Sequence, residues 1–406
     1  MSDLERLTGA LIAHDADPPH PALRRPAPVV LTGVLIAALT AGVLAAYGMV
    51  TGAALAEPTD PTAILLDRHS GARYVYLESD RRLHPILNYT SGLLLAAAES
   101  PRVKAVSTRK LAGVPLGGTL GIPDAPDDLP LAGKLLDGAW TVCTAGGAGT
   151  VLVGTTPTGG TVAEQALLVR DPTGRTFLVH AGHRFQLPAD RVDATLRALG
   201  WYGRTPGPVA TGWIDAVPAG PDLIAPEVPA AGTASALPGR WVGEVLTDSA
   251  GQFAVVLGDG IAAVTELQAR LLGPPIAVGA AFRGLRPSDR GVRSAAGLPA
   301  VVPPIAEFPV RACVTRPADG PATVRLNPAV PDAGPVHVPR GHGAVVTSPA
   351  GPVQVVTDTG RAYPLASGDL LTRLGYPGVR PVTVPAELLA QLPAGPLLDR
   401  ERAGRR

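Results

Sequence analysis

Net charge is almost absent from this 406-residue chain, whose formal value is +1 at pH 7. No large electrostatic field is therefore available to draw in nucleic acid or an acidic partner. Aromatic residues are scarce at 4%, and lysine occurs only at Lys104, Lys110 and Lys134, arginine supplying the remaining positive charge. Common catalytic motifs are missing as well. No Gly-x-x-x-x-Gly-Lys-Ser/Thr loop exists to cradle phosphates, because Gly133-Lys134 lacks both the upstream glycine and the hydroxyl residue. Gly113-Val-Pro-Leu-Gly-Gly118 and Gly146-Gly147-Ala-Gly149 do not form a dinucleotide fingerprint. There is no Gly-x-Ser-x-Gly elbow and no His-Glu-x-x-His helix. The expectation is a non-enzymatic chain with no cofactor, no catalytic residue and no metal site.

A few residues still resemble chemistry at first sight. His180-Ala-Gly-His183 is the one close histidine pair, but a metal site needs at least one more ligand and a supporting shell. Asp124, Asp127 and Asp128 lie in a proline-locked loop, where aspartates cap turns. Nothing nearby would desolvate a carboxyl there and raise its pKa. Asn88-Tyr-Thr90 fits a glycosylation sequon.

What is present begins with an uncharged apolar run at 26–56, directly after Arg24-Arg25. Its centre, 29–50, contains no Asp, Glu, Lys or Arg. A bilayer core of about 30 Å needs about 20 such residues at helical rise. The backbone polar groups of a spanning segment must be satisfied internally, so the segment reads as a helix. A cleaved signal peptide usually has a shorter apolar region nearer the N-terminus, and a buried core helix would show a polar face. Arg24 and Arg25 determine the topology: the head stays in the cytoplasm and residues from 57 onward are exported to the periplasm.

Only Cys143 and Cys313 supply thiols, and both fall on the exported side. In an oxidising compartment a lone pair most simply forms one disulfide; two unrelated buried thiols are the rival reading. Gly 48 and Pro 44 favour strands and turns over long helices.

The exported region repeats one unit. Asp-containing turns closed by Gly71, Gly174, Gly251 and Gly360 each separate two apolar strand patterns, which reads as a β-hairpin. A leucine-rich helical stretch follows each turn: 88–98, 188–199, 261–272 and 367–374. Proline-rich exits close the copies at Leu129-Pro130, Val217-Pro-Ala-Gly-Pro, Leu298-Pro299 and Leu392-Pro-Ala-Gly-Pro. The turn glycines are 103, 77 and 109 residues apart, and each longer gap holds one cysteine in a strand pattern. Such spacing suggests a duplication of a duplication, with the two middle segments paired in one central sheet.

The organisation expected is a short cytoplasmic head (1–25), a transmembrane helix (28–50), repeat 1 (60–131) and the first stretch of a central domain (132–165). Repeat 2 (166–224), a linker (225–239), repeat 3 (240–303) and the second stretch of the central domain (304–350) follow, then repeat 4 (351–399) and a basic tail (400–406). The fold class is mixed α/β (α+β). A single N-terminal transmembrane helix leads into an elongated exported region of four small hairpin-helix repeats. These flank a central β-rich domain with pseudo-twofold symmetry and one disulfide, Cys143–Cys313.

The words of the sequence also point to a family. Gly71-Ala-Arg-Tyr-Val-Tyr76, Leu83-His-Pro-Ile-Leu-Asn-Tyr89, Leu111-Ala-Gly-Val-Pro115, Gly121-Ile-Pro-Asp-Ala-Pro-Asp-Asp-Leu-Pro130 and Trp140-Thr-Val-Cys143 closely resemble EccB. EccB is the membrane-anchored core component of actinobacterial type VII (ESX) secretion systems. The resemblance covers nearly the whole chain, by layout more than by words in the C-terminal half, with a head shorter than the family pattern. It implies an inner-membrane complex with the EccC ATPase, EccD, EccE and a mycosin protease, together with self-association. ATP hydrolysis has been proposed for the family. A membrane-anchored module that binds cell-wall peptidoglycan is the alternative function, since small repeats can present repeated ligand grooves.

Overall fold

The computed structural model describes residues 26–50, 57–162, 164–317, 321–331 and 334–405. The proposed head, with Arg24 and Arg25, lies outside the described residues. A helix runs over Pro26–Val50, and its described side chains from Val30 to Leu44 are exposed. The unbroken stretch of described side chains, Val30–Leu44, is shorter than the roughly 20 residues a bilayer core needs, so among the described residues no membrane span is identified.

From residue 57 the chain builds small sheets, grouped in two compact units. Of the described residues, the first unit holds those up to Leu87 and Leu95–Gly121; the second holds Asn88–Leu94 and those from Ile122 to Arg405. In the first, strands Ala63–Asp67, Arg73–Leu77 and Arg82–Pro85 run antiparallel in succession, and Arg102–Val106 returns parallel to Ala63–Asp67. Asp67 makes the first turn: its carboxylate accepts from His69 N and Ser70 Oγ, and Gly71 takes a φ of 74°. That left-handed value carries no steric cost for glycine. Ala63, Leu65, Leu83, Val106 and Leu111 form the core of this sheet, with Tyr74, Tyr76 and Val114 packed against it.

Three sheets of the second unit share the same strand order. The second sheet of the chain comprises Leu167–Arg170, Thr176–His180, His183–Gln186 and Gly207–Pro208. The third comprises Val245–Thr247, Phe253–Val256, Ile261–Val264 and Ile276–Ala277. The fourth comprises Ala344–Thr347, Gln354–Val356, Ala362–Pro364 and Val382–Thr383. Short helices Val192–Ala198, Glu266–Leu272 and Leu370–Arg373 cross from third strand to fourth, as a parallel return requires. The helix Tyr89–Leu95 stands at the same place in the chain order of the first sheet.

The structure corrects four sequence expectations. Each hairpin gains a third strand, so the stretch 261–272 divides: Ile261–Val264 is a strand, and the helix begins at Glu266 after the Thr265 cap. Gly360 lies between the second and third strands of its sheet, whereas Gly71, Gly174 and Gly251 lie between the first and second. Gly351 stands at the matching place; an aspartate–glycine turn suits either position, so local chemistry could not distinguish them. The exits of the first and third sheets are Val114-Pro115 and Arg286-Pro287, which pair with Leu83 and Ile261, instead of Leu129-Pro130 and Leu298-Pro299. Finally, 225–239 is not a bare linker: Ala236 N donates to Gly258 O, Ser235 Oγ to Leu257 O and Glu227 N to Arg293 O.

Candidate functional site at the central sheet

Between the small sheets the chain twice contributes to one six-stranded sheet. Its order is Val336–His337, Ala148–Leu152, Trp140–Ala145, Arg311–Arg316, Thr323–Leu326, Gly160–Thr161. The two central strands run antiparallel with Cys143 directly opposite Cys313, and the pair is bonded, with Cα atoms 3.9 Å apart. Both cysteines are buried beside Leu152, with Val330 packed on them. The bond closes 170 residues of chain, worth about 5 kcal/mol in the chain-entropy model. On the same face Thr141 Oγ1 donates to Thr155 O, which leaves Thr315 Oγ1 to donate to Thr141 at 2.9 Å.

The other face carries Trp140, Val142, Val151, Ala312, Val314 and Val324 into a large core. Two helices cover it: Thr211–Ala216, which follows the second sheet, and Ala386–Leu389, which follows the fourth. Trp213, Ile214 and Leu388 are fully buried there. Thr144 Oγ1 accepts from Ala210 N at the start of the first helix, and Gln391 Nε2 donates to Gly212 O. The halves are thus joined by a disulfide on one face and by packed helices on the other.

They also reach across each other. Trp201, after the second sheet's helix, donates through Nε1 to Pro303 O, in the segment leading into the Arg311–Arg316 strand. Tyr376, after the fourth sheet's helix, donates through its hydroxyl to Pro130 O, in the segment leading into Trp140–Ala145. Burial, and then the charge of Asp128, push the Tyr376 hydroxyl well above its ordinary pKa, keeping it a donor. Ala166 pairs with Ile305, and Leu135 with Gly343, in the same exchanged sense. Each half's approach segment docks on a sheet of the other half.

The residues that resembled chemistry have structural duties. His180 and His183 flank the two-residue turn Ala181-Gly182, where both φ values are positive. Asp127 accepts from Tyr89 N at the start of the helix Tyr89–Leu95. Asn88 is buried: its Nδ2 donates to Ile122 O while its Oδ1 accepts from Ser91 N and Oγ, so the sequon is closed to modification in the fold. Asp128, His342 and Asp358 line a cavity of about 320 Å³. Another, of about 550 Å³, lies beside the third sheet, lined by Phe253, Ile261, Val264, Phe282, Pro287 and Val301 among others. Among the described residues no group of three His, Cys, Asp or Glu could hold a metal ion.

This architecture matches known proteins over its length. The family model for the type VII secretion system ESX-1 transport TM domain B matches residues 3–310 and 303–406. The chain belongs to the EccB family. It is similar to the ESX-3 secretion system ATPase EccB3 of Mycolicibacterium smegmatis, at 30% identity over 98% of this chain and 87% of that protein. The solved EccB3 dimer from the ESX-3 core complex aligns with a TM-score of 0.67 at 28% identity, over 85% of this chain and all of that one. A chain in the periplasmic assembly of the ESX-5 inner membrane complex aligns with a TM-score of 0.65 at 25% identity, over 84% of this chain and 93% of that one. The resemblance of the Gly-Ala-Arg-Tyr-Val-Tyr and Leu-His-Pro-Ile-Leu-Asn-Tyr blocks led to the same family.

Sequence reasoning missed the exchanged docking of Trp201 and Tyr376. A signal was there: both follow a helix-ending Leu-Gly, at Leu199-Gly200 and Leu374-Gly375. In both, the aromatic amide bonds back to the helix, Trp201 N to Leu196 O and Tyr376 N to Leu371 O, as in a glycine-terminated helix end.

Proposed function

We propose that this EccB-family chain is a structural core subunit of an ESX secretion complex, with its bulk in a periplasmic assembly. The family match along nearly the whole chain carries this reading. The doubly joined central sheet supports it: a scaffold that bears load between partners gains from a covalent link and a continuous core. In this reading the helix Pro26–Val50 is the single membrane anchor, oriented by Arg24 and Arg25 with the N-terminus inside. The four sheets with their helices are then four repeats of a duplicated duplication. Its partners would be further copies of itself and the other subunits, EccC, EccD, EccE and the mycosin protease.

Relatives carry the word ATPase in their names. This sequence has no phosphate-binding loop, and we read the chain as non-enzymatic. Affinity capture of the tagged full-length chain from detergent-solubilised membranes tests the assignment. Co-purification of the other subunits in fixed ratio is expected. Recovery of the chain alone, with retention on purified peptidoglycan, would instead favour the wall-binding module. Phosphate release from ATP by the purified chain, abolished by a point substitution, would overturn the non-enzymatic reading.

A further inference from the structure

Each small sheet is closed at its outer edge by the segment that leaves it, and one pattern serves all four. Leu83 N donates to Pro115 O and Gly117 N returns a bond to Leu83 O. Arg184 with Pro218 and Gly220, Ile261 with Arg286 and Ser288, and Ala362 with Pro393 and Gly395 repeat the exchange. One residue further along the third strand stand His84, Phe185, Ala262 and Tyr363. In the second and fourth sheets that residue is a ring seated against the exit glycine: a Cβ at Gly220 would collide with Phe185, and one at Gly395 with Tyr363. His84 takes the same seat in the first sheet, over Gly117.

An imidazole has needs that a phenyl ring does not. His84 is 2% exposed, so solvent does not serve its nitrogens. Nδ1 lies 2.7 Å from Gly118 O, and Nε2 lies 2.9 Å from Asp80 Oδ2. A carbonyl oxygen only accepts, and so does an ionised carboxylate, so both nitrogens must donate. We propose that His84 is a buried imidazolium that fastens segment 114–120 to the first sheet, a proton-dependent closure where the second and fourth sheets use apolar rings. Asp80 balances the charge. Burial pushes the Asp80 carboxyl up, but the His84 bond and charge, with help from Arg82, hold it below the usual range. The other titratable groups near this face are Glu78 and Arg81 of the same hairpin and Arg73 of the neighbouring strand, whose Tyr74 and Tyr76 lie on the opposite face with Leu83. Segment 114–120 contributes none.

The sign follows from linkage. Beside an ionised Asp80 the closure needs both ring protons, because a neutral Nε2 would face a carboxylate lone pair across 2.9 Å; an amide at position 80 would donate to Nε2 and remove that need. Losing one ring proton removes a donor that the carboxylate requires, so the closure weakens as pH rises. Opening would uncover the edge of the third strand, a pairing surface that sheets normally keep covered.

The test uses the full-length chain in detergent, with histidine labelled at the ring nitrogens. At about pH 6, below the free imidazole value, both His84 nitrogens are expected to show the protonated type in long-range proton–nitrogen spectra. Hydrogen-exchange protection at the Leu83 and Gly117 amides is expected to fall at least about tenfold as pH rises to about 9, the scale of one charged hydrogen bond left unmade. His84→Phe installs the second sheet's ring and is expected to keep the closure while erasing its pH dependence. A neutral His84 at the lower pH, or the same pH profile in H84F, overturns the proposal. Asp80→Asn gives an independent check should H84F misfold. Its His84 is expected to become neutral with the closure intact, and an imidazolium persisting in D80N also overturns the proposal.

Discussion

The second and third sheets share one strand order but are held by different means. The second carries a cluster of ten buried residues, including Leu168, Leu178, Phe185, Leu196 and Trp201. The third buries Val245, Leu246, Ala254, Val255, Val256, Leu257 and Ala262, smaller side chains with no aromatic among them. The helix trailing the second sheet buries Trp213, Ile214 and Ala216, whereas its counterpart Gly279–Gly284 buries nothing. Where the second sheet seats Phe185 on Gly220, the third has Ala262 and Ser288, and an apolar cavity of about 550 Å³ opens at its side. Strand order is thus fixed by backbone pairing and short connections, while stability is distributed by side-chain volume. A sheet can keep its topology with smaller core side chains where a neighbour lends packing. Here Leu267 of the third sheet's helix is fully buried in the second sheet's cluster.

Substitutions in the trailing helices should break this contrast most visibly. Trp213→Ala is expected to cost about 3–5 kcal/mol, the range for a large aromatic removed from a packed core. Phe282→Ala, at the corresponding place after the third sheet, is expected to cost roughly 1 kcal/mol or less, as for a half-buried surface residue. Denaturant unfolding of the full chain in detergent measures both. Equal costs would mean that the third sheet's exit segment is packed far more firmly than its exposure implies.

The turn aspartates come next. Asp171 of the second sheet is buried and accepts from Thr173 N and Oγ1 and from Arg175 N and Nε. Asp248 of the third accepts from the amides of Ala250 and Gln252. Burial pushes the Asp171 carboxyl up, but the Thr173 and Arg175 bonds together hold it below its ordinary value of 3.8. A depressed carboxylate stabilises the fold fully above that value, and the contribution is lost as the pH falls below it. Asp171→Asn is expected to cost about 1–3 kcal/mol at neutral pH, the scale for hydrogen bonds to a charged group. It should also flatten the acid limb of stability below about pH 4. Asp248→Asn, which loses only two amide bonds, should cost less at neutral pH, and an unaltered acid limb in D171N would assign acid sensitivity elsewhere.

Ring-on-glycine closure gives the third comparison. Gly220→Ala places a methyl against Phe185 and is expected to cost about 1–3 kcal/mol, as overpacking does. The loss should be confined to hydrogen-exchange protection of the second sheet. The third sheet, which already carries serine at this place, shows that the backbone pairing alone does not demand glycine.

How much of this was legible follows from which signals are local. The first turns of the first three sheets were readable because aspartate and glycine act within five residues, and the central strands because Trp140-Thr-Val-Cys143 and Ala312-Cys313-Val314 keep an apolar strand pattern up to each cysteine. Cys143 and Cys313 then found each other across 170 residues because no other thiols compete. Third strands hide inside stretches that read as helix, as at Ile261-Ala-Ala-Val264, where four apolar residues fit either period. Fourth strands of two residues, such as Gly207–Pro208, carry too little pattern to be seen. Gly351 in place of Gly360 gives 100 residues after Gly251, close to the 103 between Gly71 and Gly174. The repeated Val-Pro-Ala-Gly and Leu-Pro-Ala-Gly exits were visible, but the reason for their glycines lies in a ring more than thirty residues upstream.

The smallest expected effect reverses the comparison. Helix Val192–Ala198 of the second sheet has Arg191 at its N-cap with no side-chain bond to the first-turn amides, its guanidinium donating to Asp190 instead, so packing of Leu196 must hold it. Helix Glu266–Leu272 of the third has a full capping box: Thr265 Oγ1 accepts from Gln268 N, and Gln268 Oε1 accepts from Thr265 N. Where a sheet lends its helix little core, satisfying the first-turn amides matters more. Thr265→Ala is expected to cost about 1 kcal/mol, and Arg191→Ala less than about 0.5 kcal/mol, as at an exposed position without such a bond. Hydrogen exchange of the first-turn amides in each helix reads the two effects separately. Equal losses would mean that the third helix depends on its Leu267 anchor in the second sheet's cluster as fully as the second helix depends on its own leucines, and that its cap adds nothing of its own.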